Sequence, residues 1–350
     1  MPNPAAAPAA TPARGAETGV LLPSSGVSRA QTSSNGSALG ASSAMARDLV
    51  DACGRAVRAP AEVIEACVAS LISGGHVMIE DVPGVGKTVL AKALARASGC
   101  SYSRVQCTAD LLPADVTGVS VWDQQAGAFA FHAGPVFSNL VLVDEINRAS
   151  PKTQSALLES MEERQVTVDG TTRDLPDPFM VVATQNPVEY EGTFPLPEAQ
   201  LDRFAMRVSI GYPSARDEAA MVRELAGRDP LDLVPRVGDE DALRAAQRAL
   251  EDVHIDPSLA DYVVDLVRRT RDDPRVELGA SPRAALSLLR TGRARALVKG
   301  RDHVLPEDVR ALAVMALAHR LLLTPDARAR GANPVEIVED ALLGAEVPLG

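Results

Sequence analysis

The hydrophobic positions of the chain change their spacing near residue 212. Before that point, short apolar runs alternate with segments whose apolar residues recur at helical spacing. The runs predict strands, and the segments between them predict helices. This alternation is typical of a parallel sheet flanked by helices, so the predicted fold class is α/β. The predicted strands cover residues 76–80, 102–106, 140–143, 179–183 and 205–210.

Beyond residue 212 the apolar spacing is helical, and no further strand is predicted. Two of the helices expected there begin at Pro282 and Pro306, where the first turn tolerates proline well. We therefore expect an α/β domain over residues 44–212, which opens with two helices before its first strand, and an all-α domain over 213–350. The predicted helices of the second domain cover residues 215–226, 239–251, 257–271, 282–298 and 306–323.

The first 43 residues differ in composition from the rest of the chain. They are rich in Ala, Pro, Ser and Gly and are nearly free of charge. Such a segment buries too little apolar surface to offset the entropy lost on ordering. We expect a disordered tail over residues 1–43.

Composition narrows the classes of function. With 46% hydrophobic and 23% charged residues, the 350-residue chain has an ordinary globular composition. Its net charge of -11 disfavours a nucleic-acid motor, because binding to nucleic acid usually needs a basic field. No apolar run approaches the roughly 18 residues of a spanning helix, and no secretory signal is visible. These features predict a cytoplasmic protein.

The cysteines and histidines give no metal-ligand pattern. Cys53, Cys67, Cys100 and Cys107 form no C-x-x-C pair, and the histidines are scattered. Zinc sites need closely spaced ligands. We expect reduced thiols in the core and no zinc site.

A glycine-rich segment, 81–88, lies between the first predicted strand and a helical pattern. This is the context of a phosphate-binding loop, in which backbone N–H groups and a helix N-terminus face phosphates. Lys87 is expected to reach the β- and γ-phosphates, and Thr88 to ligate Mg²⁺. The usual loop begins with glycine, and this chain has Asp81; since aspartate tolerates unusual backbone angles, we expect the loop to form with altered nucleotide affinity.

Polar residues end two later apolar strands. Asp144 and Glu145 follow the run at 140–143, and Asn186 follows the run at 179–183. Asp144 is a candidate Mg²⁺ ligand, and Glu145 can polarise the water that attacks a triphosphate. If the two strands are neighbours, Asn186 lies near the γ-phosphate and can orient that water.

The order of these motifs resembles AAA+ ATPases. The segments 106–117, 144–149 and 191–204 are similar in particular to the MoxR family, and the resemblance covers about residues 45–345. It implies an AAA+ P-loop sheet followed by an all-α lid domain, and an ATP hydrolase that remodels or activates partner proteins. It also implies a homo-oligomer, a hexameric ring, whose partner carries a von Willebrand factor A domain.

The resemblance assigns roles to further residues. Asn186 matches sensor 1, Arg203 matches an arginine finger that acts on a neighbouring subunit, and Arg283 matches sensor 2. For Arg203 a surface ion pair with Asp202 or Glu198 is the alternative, and for Arg283 the alternative is an ordinary exposed arginine on a helix. The candidate catalytic residues are Lys87, Glu145, Asn186 and Arg203, and the candidate metal ligands are Thr88 and Asp144. The candidate nucleotide-binding residues are Val82, Pro83, Gly84, Val85, Gly86, Lys87, Thr88, Val89 and Arg283.

Two hairpins are predicted inside the α/β domain. One spans residues 119–131 and corresponds by resemblance to a helix-2 insert; the other turns at Asp169-Gly170, just before sensor 1. In related ATPases such hairpins face the pore or partners, and plain packing explains Trp122, Phe129 and Phe131 equally well. Arg148 and Arg164 face either a subunit boundary or solvent.

Three other functions share these features. A nucleotide-gated scaffold with little turnover is supported by Asp81. A chelatase-type subunit for metal insertion shares the insertions, and a nucleic-acid motor shares the fold. Turnover, substrate and salt-dependent DNA-binding assays separate the three.

Overall fold

The fold is taken from a computed structural model, which describes residues 29–187, 192–224 and 227–348. Its strands are β1 (Val77–Glu80), β2 (Tyr102–Gln106), β3 (Gly118–Asp123), β4 (Ala128–Ala133), β5 (Leu140–Asp144), β6 (Gln165–Val168), β7 (Thr171–Asp174), β8 (Met180–Gln185), β9 (Met206–Val208), β10 (Val276–Leu278) and β11 (Leu322–Leu323). Its α-helices are α1 (Arg29–Ala56), α2 (Ala61–Ile72), α3 (Lys87–Ser98), α4 (Pro113–Thr117), α5 (Pro151–Glu163), α6 (Glu198–Leu201), α7 (Ala215–Glu224), α8 (Glu240–Ala249), α9 (Pro257–Asp272), α10 (Pro282–Val298), α11 (Pro306–Leu317), α12 (Pro325–Ala329) and α13 (Pro334–Gly344).

A five-stranded sheet forms the centre of the α/β part, in the order β2-β5-β8-β1-β9. Each pair of neighbouring strands in it is parallel, which confirms the predicted fold class. The five strands predicted from apolar runs are these five. Because β5, β8 and β1 lie side by side, the residues that follow their carboxyl ends meet at one edge of the sheet.

Successive side chains of each strand point to opposite faces of the sheet, so the hydrophobic core has two parts. Leu140 and Leu142 of β5 face one hydrophobic cluster, whereas Val141 and Val143 face the other. The first cluster also contains buried residues of α1, α2 and α3, and of the helices that follow residue 212. The C-terminal helices therefore pack onto the same sheet face as the N-terminal ones, and they share one core with the sheet.

Three predictions of secondary structure differ from the structure. Strands do occur after residue 212, since β10 and β11 form an antiparallel pair; strands of three and two residues are too short to give a periodic signal. The helix predicted over 306–323 ends at Leu317. Helix α1 begins at Arg29, inside the segment predicted as a disordered tail, and from Leu39 onward its apolar side chains pack against the hydrophobic core. Residues 1–28 of that tail lie outside the described residues.

Both predicted hairpins are confirmed. Strands β3 and β4 pair antiparallel, and so do β6 and β7 around Asp169-Gly170. The two hairpins touch where the Arg173 guanidinium lies 3.8 Å from the centroid of the Phe131 ring. At the tip of the first hairpin, Trp122 and Phe129 pack edge to face and are 52% and 72% exposed.

The cysteines are free thiols, as predicted, and Cys53, Cys67 and Cys107 are buried. Burial raises the pKa of Cys53 and of Cys67 to about 12, so these thiols stay protonated. No group of His, Cys, Asp or Glu among the described residues is arranged to hold a metal ion by itself. Within the same ranges, no helix is long and apolar enough to span a membrane.

The buried His76 side chain leads to a prediction of how the stability of the protein depends on pH. Its Nδ1 accepts a hydrogen bond from the Val181 N–H at 2.9 Å, and its Nε2 lies 3.1 Å from the Met161 carbonyl. Burial, with the nearby Arg164 charge, lowers the pKa of His76 from 6.5 to about 3. The unfolded chain therefore binds a proton that the folded chain excludes. The free energy of unfolding should fall by about 1.4 kcal/mol for each pH unit as pH drops from about 6.5.

Urea unfolding of the wild type and of His76→Gln, at about pH 7 and about pH 5, measures this contribution. Glutamine can make both hydrogen bonds but cannot be protonated, so the variant should lose less stability on acidification. The exposed His132 supplies the control, since His132→Gln should keep the wild-type slope. Equal slopes for the wild type and His76→Gln would contradict the assignment.

Candidate functional site

The glycine-rich loop connects β1 to α3, as its sequence predicted. Gly84 and Gly86 have φ angles of 88° and 97°, a region that other residues rarely adopt. Gly86 also precedes α3 without any side-chain cap, so the first N–H groups of the helix point into the loop. The backbone is therefore shaped to receive an anion.

Lys87 lies at the mouth of this loop. Its Nζ donates to the Asp81 carbonyl at 2.5 Å and is 3.5 Å from the Gln185 carbonyl. Asp81 directly follows β1 and Gln185 is the last residue of β8, so the ammonium group lies between the ends of two neighbouring strands.

One hydroxyl joins the two acidic residues at the end of β5. Thr184 Oγ1 donates to Asp144 Oδ1 at 2.5 Å and accepts the Glu145 N–H at 2.9 Å. Glu145 adopts a left-handed conformation with φ of 57°, which turns the chain sharply after the strand. Thr184 is fully buried in β8, so pairing of β5 with β8 fixes both carboxylate-bearing residues.

Three further side chains surround the acidic pair. Arg104 Nη2 donates to Asp144 Oδ2 at 2.6 Å, while Gln106 Nε2 and Arg148 Nη1 donate to Glu145 Oε2 at 3.1 and 3.0 Å. The sequence reasoning missed Arg104 and Gln106 as site residues and left Arg148 at a subunit boundary or in solvent. Arg104 and Gln106 lie on β2, so they reach the acidic pair only because β2 pairs with β5, and strand order is not visible in the sequence.

These elements enclose a pocket of about 360 Å³, here called the loop pocket. It contains all the predicted catalytic and metal residues except Arg203. Its lining residues are Pro83, Gly84, Gly86, Lys87, Thr88, Val89, Asp144, Glu145 and Asn186.

The donor set of the loop pocket fits Mg²⁺ bound together with a triphosphate. Magnesium usually takes one or two protein oxygens and completes its shell with phosphates and water. The Thr88 hydroxyl and the Asp144 carboxylate both line the pocket. Because Arg104 and Thr184 engage the two Asp144 oxygens, this carboxylate is best suited to hold the ion through water.

Asp81 corrects one interpretation of the loop. We expected the loop to accept Asp81 because aspartate can adopt unusual backbone angles. Asp81 is not, however, among the residues with positive φ. Its side chain instead bonds to the segment after β9. Burial opposes ionisation, but hydrogen bonds from Gly211, Ser209, Val82 and Ile210 outweigh it and lower the pKa of Asp81.

A larger pocket of about 1010 Å³ adjoins the loop; we call it the linker pocket. Its walls come from α1, α2 and the segment 210–217, which leads into α7. Val57 belongs to it and lies 3.8 Å from the position of a Cβ added to Gly86. The linker pocket therefore begins directly beside the loop, and no sequence motif predicted it.

Arg203 and Arg283 lie together in a third pocket, the arginine pocket, of about 370 Å³. The Glu162 carboxylate bridges them: Oε2 accepts from Arg203 Nε at 3.0 Å, and Oε1 accepts from Arg283 Nη2. The hydrogen bond from Arg283 lowers the pKa of Glu162 against the opposing effect of burial. The ion pair expected as the alternative for Arg203 therefore exists, but with Glu162 instead of Asp202 or Glu198.

Side chains that follow β9 in sequence hold the Arg203 segment in place. Arg320 donates to the Asp202 and Phe204 carbonyls at 3.2 and 2.9 Å, and it is 5% exposed. Ser281, which caps α10 just before Arg283, donates to the Asp202 carboxylate at 3.0 Å. The two arginines are thus set side by side by contacts between the C-terminal helices and the end of α6.

The arginine pocket and the loop pocket lie at opposite edges of the sheet. The arginine pocket includes His76 and Ala205, which precede β1 and β9, whereas the loop follows the carboxyl end of β1. The four residues of β1 span about 13 Å at strand spacing. The structure therefore does not bring Arg203 or Arg283 to the loop pocket of the same chain.

Comparison with known proteins identifies the family and the fold. Residues 76–206 match the model of the ATPase family associated with various cellular activities (AAA), and residues 268–341 match an AAA lid domain. "Chaperone MoxR1" of Mycobacterium tuberculosis is 41% identical over 82% of this chain and 78% of its own length. "Uncharacterized protein YeaC" of Bacillus subtilis is 48% identical over 81% of this chain and 88% of its own.

A solved structure shares the fold. A Cytophaga hutchinsonii protein assigned as an ATPase superposes with a TM-score of 0.84 and 36% identity. The match covers 91% of this chain and 99% of that protein. The sheet and the C-terminal helices are therefore both reproduced in an experimental structure.

The hydroxyl of Thr184 can be tested by itself. Thr184→Val keeps the side-chain volume but leaves the Glu145 N–H and an Asp144 oxygen without their partner. The free energy of unfolding should fall by about 1–3 kcal/mol, as for other buried groups that lose a hydrogen bond. Thr184→Ser keeps the hydroxyl and should retain most of the stability. Urea denaturation of the two variants decides the point, and equal losses would mean that the methyl group, not the hydroxyl, matters here.

Proposed function

Because the chain belongs to the MoxR family of AAA+ ATPases, we propose that it hydrolyses ATP with Mg²⁺ at a site completed by a second copy of the chain. The observation that carries the proposal is the position of Arg203 and Arg283 at the sheet edge opposite Lys87. An arginine that stabilises a transferring phosphoryl group must touch it. In a head-to-tail assembly, the arginine pocket of one subunit faces the loop pocket of the next.

In this proposal the loop pocket binds the triphosphate. The Lys87 ammonium group and the backbone N–H groups of 82–89, apart from Pro83, which has none, would contact the phosphate oxygens, and Thr88 and Asp144 would hold the metal ion. Mg²⁺ held by these residues would supply positive charge against the negative charge that develops on the phosphate oxygens during hydrolysis. The adjoining linker pocket is large enough for the nucleoside end of ATP.

Glu145 is the proposed base for the attacking water. Gln106 and Arg148 donate to one of its carboxylate oxygens, and Thr184 fixes its backbone. The other oxygen is available to the water, and Asn186 on the neighbouring strand can orient that water. Preorganised donors of this kind lower the barrier because they need no rearrangement during the reaction.

The geometry of Arg203 supports a role toward a second subunit. Glu162 pairs with its Nε, and its two terminal nitrogens make no hydrogen bond or ion pair with the described residues. Those nitrogens form the fork that binds phosphate oxygens in pairs. Arg283 is held on the same carboxylate, so both guanidinium groups can approach one anion.

The use made of ATP hydrolysis is proposed from the family. We propose a ring, hexameric as in the resemblance, in which hydrolysis remodels or activates a partner protein that carries a von Willebrand factor A domain. The exposed aromatic tip formed by Trp122 and Phe129 is the proposed contact for other proteins. The free thiols fit a cytoplasmic location, and we propose residue 212 as the boundary between the ATPase domain and the lid.

Mixing two inactive variants tests whether the site is shared. Lys87→Ala removes the loop lysine and Arg203→Ala removes the finger, so each should abolish turnover alone. In a mixed ring, an intact loop on an Arg203→Ala subunit can face an intact finger on a Lys87→Ala subunit. A one-to-one mixture should recover about a quarter of the wild-type turnover, because a quarter of randomly formed head-to-tail interfaces are complete.

The controls for this experiment are Glu145→Gln and Arg330→Ala. Mixing Lys87→Ala with Glu145→Gln should restore nothing, since both residues belong to the same loop pocket. Arg330 is an exposed arginine that lines none of the three pockets, and its removal should leave turnover unchanged. Mixed particles that stay inactive would contradict the shared site. A wild-type protein that binds ATP but does not hydrolyse it would favour a nucleotide-gated scaffold.

A further inference from the structure

Asp81, the departure from the usual loop sequence, ties the loop to the segment that leads toward α7. Its Oδ2 accepts from the Ile210 N–H at 2.6 Å, the Gly211 N–H at 2.7 Å and the Ser209 hydroxyl at 3.0 Å. Its Oδ1 accepts the Val82 N–H at 2.9 Å. The residue is only 7% exposed, so these bonds form away from water.

The backbone of Asp81 belongs to the nucleotide site. Its carbonyl accepts the hydrogen bond from Lys87 Nζ, and its N–H donates to the Gln185 carbonyl at 3.2 Å. One residue therefore contacts the loop lysine through its backbone and the segment after β9 through its side chain. Glycine at this position has no group to make the second connection.

The segment held by Asp81 is the connection between the sheet and the lid. Gly211 turns the chain in a left-handed conformation with φ of 71°, and residues 212–214 then line the linker pocket before α7 begins. Without the carboxylate, the Ile210 and Gly211 N–H groups would need new acceptors. The position of this connection is thus set by the residue that also positions Lys87.

We propose that Asp81 is a positioning residue that couples the phosphate-binding loop to the linker at 209–214, so that nucleotide on the loop restrains the entry to the lid. The inference rests on the proposed nucleotide site. The alternative is that Asp81, by replacing the usual glycine, only weakens the phosphate-binding loop and has no role toward the linker.

Two variants separate these views. Asp81→Gly restores the common loop sequence, and Asp81→Asn keeps the size of the side chain but removes its charge. If Asp81 only weakens the loop, Asp81→Gly should bind a non-hydrolysable ATP analogue as tightly as the wild type or more tightly. If Asp81 couples loop and linker, both variants should bind it about tenfold more weakly, since charge-assisted hydrogen bonds are lost.

Hydrogen exchange of residues 209–214 gives the decisive readout. In the wild type, saturating analogue with Mg²⁺ should slow exchange across this linker. In Asp81→Asn, the analogue at saturation should leave linker exchange unchanged, although it still slows exchange in the loop at 82–88. A purely structural role would alter linker exchange equally with and without the analogue.

The control is Asp229→Asn. Asp229 also accepts a backbone N–H, from Leu231 at 2.9 Å, but it is exposed, and this hydrogen bond is local to the turn in which it lies. It should change neither affinity nor nucleotide-dependent exchange of the linker. Wild-type coupling in Asp81→Asn would overturn the inference while leaving the nucleotide site intact, whereas a wild-type chain that binds no analogue would overturn both. If Asp81→Gly does not fold, Asp81→Asn alone gives the answer.

Discussion

Parallel pairing of β1, β5 and β8 is the constraint on which the candidate site depends. It brings the glycine-rich loop, the acidic pair and Asn186 to one edge of the sheet, although they are separated along the chain. Thr184 shows the dependence most directly, because its hydroxyl on β8 holds both Asp144 and the Glu145 backbone on β5. A change in strand register would separate these groups, and no single residue of the site could then compensate.

The position of Arg203 and Arg283 at the opposite edge of the sheet explains why one chain is not sufficient in the proposed mechanism. The C-terminal helices share a hydrophobic core with α1, α2 and α3, and they hold Asp202 and Phe204 through Arg320 and Ser281. That packing keeps Arg203 and Arg283 about a strand length away from the loop of their own subunit. In the proposed head-to-tail ring, a neighbour would present its loop to these arginines, so catalysis would require assembly.

Strong local patterns could be predicted from the sequence, and contacts between distant segments could not. The five sheet strands and both hairpins follow from apolar runs and turn residues, and the family follows from the motifs. The roles of Arg104 and Gln106 depend on strand order, and the partners of Asp81 lie far along the chain. Arg283 illustrates the limit well: its motif is local, but the edge of the sheet that it faces is fixed by the packing of the whole lid. The β10–β11 pair was missed because tertiary packing, not periodicity, makes so short a ladder.

The most direct test of the shared site is the dependence of turnover on protein concentration. ATP turnover per chain should be measured across dilutions at saturating Mg-ATP, with particle mass recorded on the same samples. If a second subunit completes the site, turnover per chain falls on dilution in step with loss of the assembled particle, because monomers have the loop but lack the Arg203 of a neighbouring subunit. Constant turnover per chain in fully monomeric samples would contradict the account, since it would require one chain to hold a complete site.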